Sequence, residues 1–196
     1  MNWMPVLLAV LLTLELVARI VLEIRERRLT QIRGGLLSLL QLVPLINDIV
    51  PLPENRSDPP CSEFISKHEE GHAVFHHGLL RNFVKISLLL LAVWFFAFLL
   101  ASRGLNLIDA LLWLHLVAIP FNIAFRLYCW YQEFEADHYA FEKLGKKAAR
   151  NAMRDLAVCE IPYTKLFAVV YRDHPPVAIR SQRMLHKEIK AQIKVQ

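Results

Sequence analysis

Cysteine is scarce in this chain: three in 196 residues, at Cys61, Cys129 and Cys159. That excludes a disulfide-stapled scaffold and a cysteine-based zinc site, both of which need more thiols at closer spacing. A protein facing the reducing cytosol is the simpler reading. Glycine is low at 6 and proline stands at 10, so the chain is neither collagen-like nor low-complexity. Charged residues are 21% against 55% hydrophobic, the reverse of a disordered composition. No internal repeat is present, and no alternating strand pattern, so any sheet is small. The length suits one domain.

What the chain does have is long apolar runs. The first, from Trp3 to Ile24, is long enough for a hydrocarbon core of roughly 30 Å. No Lys or Arg precedes it and no small-residue cleavage site follows, which predicts a signal anchor rather than a removable leader. The next residues, Arg25 to Arg33, carry four Arg and one Glu. Positive charge beside a span marks the cytoplasmic side. Residues Gly34 to Pro53 are apolar but interrupted by Pro44 and by Asn47 and Asp48, predicting an interfacial or re-entrant piece, with a short second span as the alternative. Two further runs, Phe83 to Ser102 and Asn106 to Trp130, flank the short link Arg103-Gly104-Leu105. They predict an antiparallel transmembrane hairpin whose two ends lie on one side of the membrane. Asp109, His115 and Asn122 inside the second run read better as hydrogen-bonding groups than as a relay. The last helix of the hairpin is expected to continue out of the membrane and stop at Gly145, followed by a helix from Lys146 to Cys159.

The formal net charge is +5, while the segment from Glu142 onward alone carries +7. With spans present, a basic tail predicts a cytoplasmic, membrane-side domain. Nucleic acid is not an expected partner, since no aromatic or helix-turn-helix pattern accompanies the charge.

The chemistry is concentrated in Lys67-His68-Glu69-Glu70-Gly71-His72-Ala73-Val74-Phe75-His76-His77. His68 and His72 share a helix face at i,i+4, so both imidazoles reach one Zn²⁺. Glu69 is rotated about 100° away, where its carboxylate serves the fourth coordination position as a base without binding the metal. Zinc lowers the pKa of its water to about 7, and such a base takes the proton. A third ligand is needed. The metzincin position, ten residues after His68, is Gly78. His76 is two turns from His68 on one straight helix and cannot converge with His68 and His72, so His76 and His77 are expected on a solvated or interfacial face. Glu133 and Asp137, four apart beyond the hairpin, are better placed. Glu133 can supply the third ligand, with Glu135 as the alternative, and Asp137 can hold a ligand imidazole through its other N–H.

The series His68-Glu-Glu-Gly-His72, a membrane hairpin, Glu133-Phe-Glu-Ala-Asp137 and Asp173-His174-Pro-Pro-Val-Ala-Ile-Arg180 resembles the HtpX-like membrane gluzincins, relatives of the zinc-dependent CAAX prenyl proteases. The resemblance covers about Ser66 to Leu185. The apolar runs give about three transmembrane helices, one before the zinc helix where the HtpX-like proteins have two, and the resemblance implies a mostly α, integral membrane zincin-like metalloprotease with a cytoplasmic helical catalytic domain, in the cell (inner) membrane. It implies one Zn²⁺ per chain held by His68, His72 and Glu133, Glu69 as general base, Asp137 behind a ligand, and His174 and Arg180 facing the site to stabilise the oxyanion or substrate. The implied organisation is an anchor over 1–25, a basic loop and interfacial segment over 26–62, a zinc-binding helix over 63–82, the hairpin over 83–130 and the rest of the catalytic domain over 131–196. The expected partners are a protein or peptide substrate and the lipid bilayer. The competing function is a non-proteolytic membrane module that keeps the same fold, against which the intact Glu69 speaks.

Overall fold

The computed structural model describes residues 60–161 and 172–184, together with positions 6, 9, 10, 13, 14, 17, 21, 57, 165, 168 and 169. The isolated N-terminal positions are helical, and Thr13 Oγ1 donates to the Ala9 carbonyl at 2.8 Å, one turn back. The rest of the expected anchor, the basic cluster after it and the interfacial segment lie outside the described residues.

Three helices carry most of the described chain: α1 (Glu63–Val74), α2 (His77–Ala101) and α3 (Leu107–Cys159). A fourth, α4, begins at residue 177 and is described to residue 184. There is no strand among the described residues, in keeping with the absence of alternation in the sequence.

Helix α1 starts on an N-cap. Ser62 Oγ accepts from the Ile65 amide at 3.2 Å, and Glu63 places negative charge at the positive end of the helix dipole. It stops without glycine or proline. Phe75 leaves helical geometry and His76 turns left-handed at φ 54°, a conformation uncommon for a residue with a Cβ. Helix α2 then starts afresh at His77. The helix expected over 63–82 is therefore two helices joined at a turn.

The chain divides into two compact units. One includes Leu80–Phe125, the hairpin. Its turn closes around Gly104 at φ 61°, where the Leu105 amide reaches the Leu99 carbonyl at 3.2 Å, the long-range bond of a helix C-terminus capped by a left-handed glycine. Helix α3 begins on a reciprocal cap: Asn106 Oδ1 accepts from the Asp109 amide at 2.9 Å, and Asn106 Nδ2 donates to Asp109 Oδ2 at 3.0 Å. Asp109 thus belongs to a helix start, consistent with the hydrogen-bonding reading of its charge. Lys85 lies over the Phe125 ring at 5.7 Å, which pairs the far ends of the two helices as an antiparallel hairpin requires. Large apolar side chains, among them Phe83, Leu89, Leu90 and Trp94, stand exposed along α2. Both α2 and α3 are long and apolar enough to cross a membrane.

The other unit includes Leu52–Leu79 and everything from Arg126 onward. Its core is built on Phe64, Ala140, Ala149, Ala152, Met153 and Val177. The small residues have a reason. At Gly71, an added Cβ would meet Ala136 Cα at 3.2 Å and Tyr139 Cβ at 3.3 Å, so α1 and α3 touch nearly backbone to backbone. Gly145, at φ 78° and ψ 177°, breaks α3 where the sequence predicts a stop. Beyond the break, Glu160 fixes α4: its carboxylate accepts from the Val177 amide at 3.1 and 3.2 Å and from Arg172 Nη1 at 2.7 Å.

Candidate metal centre

The crossing of α1 over α3 at Gly71 brings the acidic face of α3 against the histidines of α1. His68 Nε2 and His72 Nε2 lie 3.1 Å apart. Glu133 presents one carboxylate oxygen to each, Oε2 at 3.3 Å from His68 and Oε1 at 3.3 Å from His72. The three ligand atoms fall within 4.8 Å of one another. Glu133 is buried, at 1% exposure. Two imidazole nitrogens and one carboxylate aimed at a common point match the donor set of a three-ligand zinc site with an open fourth position. The residues therefore fit the metal that the sequence pattern implies.

Behind His68, its second nitrogen, Nδ1, lies 3.0 Å from Asp137 Oδ1. Asp137 in turn accepts two bonds from Arg180, from Nε at 2.8 Å and Nη2 at 2.6 Å. This fork-on-carboxylate geometry is the strong form of an ion pair. Burial disfavours the ionised form of Asp137, but the guanidinium and His68 outweigh it and hold the carboxyl below the usual carboxylate range. Burial also works against a charged His68, yet its pairing with Asp137 and Glu133 lifts it above the ordinary histidine value. When Nε2 faces a metal, the ring proton belongs on Nδ1, where Asp137 waits.

Arg180, which the resemblance places facing the site to stabilise the oxyanion or substrate, puts two of its donors on Asp137 and is buried. Helix α4 places it there because the Glu160 clamp and the Pro175-Pro176 pair fix where that helix starts. His174 Nε2 lies 3.8 Å from Glu133 Oε1, with the side chain half-exposed. Two residues within α3 also hold the segment before α4, since Trp130 Nε1 donates to the Arg172 carbonyl at 3.1 Å and Arg126 Nη1 to Asp173 Oδ1 at 3.0 Å. Glu69 is exposed on α1 between the two histidines.

The expectation for the His76-His77 pair holds for one residue and fails for the other. His76 is exposed, but His77 is buried at 2%. Its Nδ1 makes a 2.8 Å hydrogen bond with His72 Nδ1. The cause is the left-handed turn at His76, which ends α1 and swings the next ring back over the site. Glu135, the alternative third ligand, stands 3.4 Å from His77 Nε2 and outside the ligand trio. Sequence reasoning also missed Glu160, which sits in no periodic pattern that marks it as a cap for a distant helix. Glu70, next to Glu69, ties α1 to α3 from outside: it accepts from Tyr139 Oη at 2.6 Å and pairs with Lys67 at 2.6 Å.

Two histidines one helical turn apart and a glutamate from a later helix form a cluster that could hold a metal ion, as a metallopeptidase requires. The chain belongs to peptidase family M48, whose family model matches residues 34–188. No curated protein and no solved structure matches it.

Proposed function

We propose that this member of the M48 metallopeptidases is an integral membrane zinc endopeptidase of the HtpX-like type, acting on membrane or membrane-associated proteins from the cytoplasmic side. The convergence of His68 Nε2, His72 Nε2 and the Glu133 carboxylate on one point carries the reading. Zinc held by these three residues would supply Lewis-acid polarisation of water and of the scissile carbonyl. The chain's own residues do the rest. Glu69 takes a proton from the attacking water on its carboxylate and delivers it to the departing amine, the work of a general base turned acid. His174, on the open side of Glu133, donates from its imidazole to the oxygen on which negative charge develops. Asp137, clamped by Arg180, keeps His68 in the tautomer that leaves Nε2 free for the metal. The exposed apolar lengths of α2 and α3 support insertion in a bilayer, and the +7 segment from Glu142 onward supports a cytoplasmic orientation.

The test is Glu69→Gln in the full chain, purified in detergent and assayed on an unfolded protein substrate. Zinc content and melting temperature should match the wild type, while turnover falls on the order of 10²-fold or more. Equal turnover in wild type and variant, or a wild-type rate that survives zinc removal by chelator, refutes the proposed mechanism, and a zinc-loaded wild type without turnover favours a non-proteolytic module. For orientation, Cys61 is the informative thiol, because it is exposed while Cys129 and Cys159 are buried. An impermeant label applied to intact cells should leave Cys61 unmodified.

A further inference from the structure

The two histidines of the centre are held from behind by different chemistry. His68 rests on a carboxylate that is itself clamped by a guanidinium. His72 rests on another imidazole. Its Nδ1 is 2.8 Å from His77 Nδ1, and at that distance one nitrogen carries a hydrogen and the other accepts it. If His72 Nε2 faces the metal, its proton sits on Nδ1. His77 Nδ1 is then the acceptor, and the His77 proton must sit on Nε2. Glu135 Oε2 lies 3.4 Å beyond that nitrogen, within reach of a small rotation. The tautomers of all three groups follow from the first one. Phe75 stacks on the His77 ring at 5.5 Å and 30°, which helps keep it buried at 2% exposure.

We propose that His77 is a positioning residue for the metal centre: it orients His72 through the Nδ1–Nδ1 hydrogen bond, with Glu135 behind it, as Asp137 and Arg180 orient His68. The inference rests on the metal-centre reading of His68, His72 and Glu133. It gives a function to the left-handed backbone at His76, which is the feature that folds His77 back onto α1. Strain of this kind persists where the surrounding structure fixes it. It also gives separate roles to two acids two positions apart on α3: Glu133 faces His68 and His72, and Glu135 faces His77.

The experiment uses the full chain in detergent and reads zinc affinity by competition with a chromogenic chelator, with the visible absorption of the Co²⁺-loaded protein as a second readout. His77→Phe keeps the aromatic volume and the stacking surface while removing the acceptor; it should weaken zinc binding roughly 10- to 100-fold and shift the Co²⁺ spectrum. His77→Asn places an amide where Nδ1 was and should recover most of that affinity. Glu135→Leu should weaken binding less, and should add nothing in the His77→Phe background, since both act through one chain of bonds. His76→Asn, which tolerates the left-handed backbone, is the control and should leave metal binding unchanged. A zinc-binding wild type with equal affinities in His77→Phe and His77→Asn overturns this inference and leaves the metal centre standing. A wild type that binds no zinc overturns both. Should His77→Phe fail to fold, His77→Asn and Glu135→Leu decide: loss in the second with retention in the first supports the chain of bonds, and the reverse sinks it.

Discussion

The two units of this protein follow opposite rules of burial. In the hairpin, Leu89, Leu90 and Trp94 stand exposed, at 63%, 65% and 62%. In the unit that holds the metal centre, His68, Glu133, Asp137 and Arg180 are all buried, and alanine and glycine make the helix contacts. In water the first arrangement would aggregate and the second would be costly unless every charge found a partner. The proposed bilayer placement accounts for the first, since lipid needs no polar surface from a helix face, and the pairing of Asp137 with Arg180 and His68 accounts for the second. The lesson is that exposure alone does not mark function here. A buried charge with a named partner does.

The contrast can be broken hardest at Arg180. Arg180→Met leaves Asp137 buried beside His68 without its cation, and a buried charge stripped of its partner costs about 3–5 kcal/mol. Thermal unfolding in detergent should show the loss, with zinc binding falling alongside it. If stability holds, the ion pair is not what fixes α4 to α3.

On the hairpin side, Leu90→Arg puts a cation on an exposed apolar helix face. On a water-exposed face this would be nearly neutral. In a membrane span it should cost about 2.5–3.5 kcal/mol of insertion, seen as loss of the membrane-integrated fraction on alkaline extraction. Unchanged integration would remove α2 from the bilayer.

The smallest expected effect sharpens the packing rule. Gly71→Ala drives a methyl to 3.2 Å from Ala136 Cα, an overpacking worth about 1–3 kcal/mol. Gly78→Ala, at a helical position with open space around it, should stabilise by about 0.5–1 kcal/mol. The two variants, melted side by side, should move in opposite directions.

Much of the centre is legible in the sequence. His68 with His72, and Glu133 with Asp137, are i,i+4 pairs, and helical periodicity alone puts each pair on one face. The stop at Gly145 was legible because few other residues accept that backbone. Choosing Glu133 over Glu135 was harder, since both lie near the same end of α3 and only packing against α1 separates them. His77 leaves its expected face for a specific reason: neither glycine nor proline marks the turn at Phe75–His76, so helical periodicity carries no sign of it. Arg180 entered by resemblance, and its true partner could not be read from spacing, because a bond across 43 positions has no periodic signature.

That separation sets a timetable. The bond from Tyr139 to Glu70 spans 69 positions, with the whole hairpin threaded between, and Arg180 follows Asp137 by another 43. During synthesis the histidines emerge first, the glutamate only after both apolar helices, and the arginine that steadies Asp137 last. At about 5–20 residues per second, several seconds pass in which the nascent chain has imidazoles and no complete cradle for a metal. A metallopeptidase assembled in that order has no complete ligand trio until both apolar helices have been made.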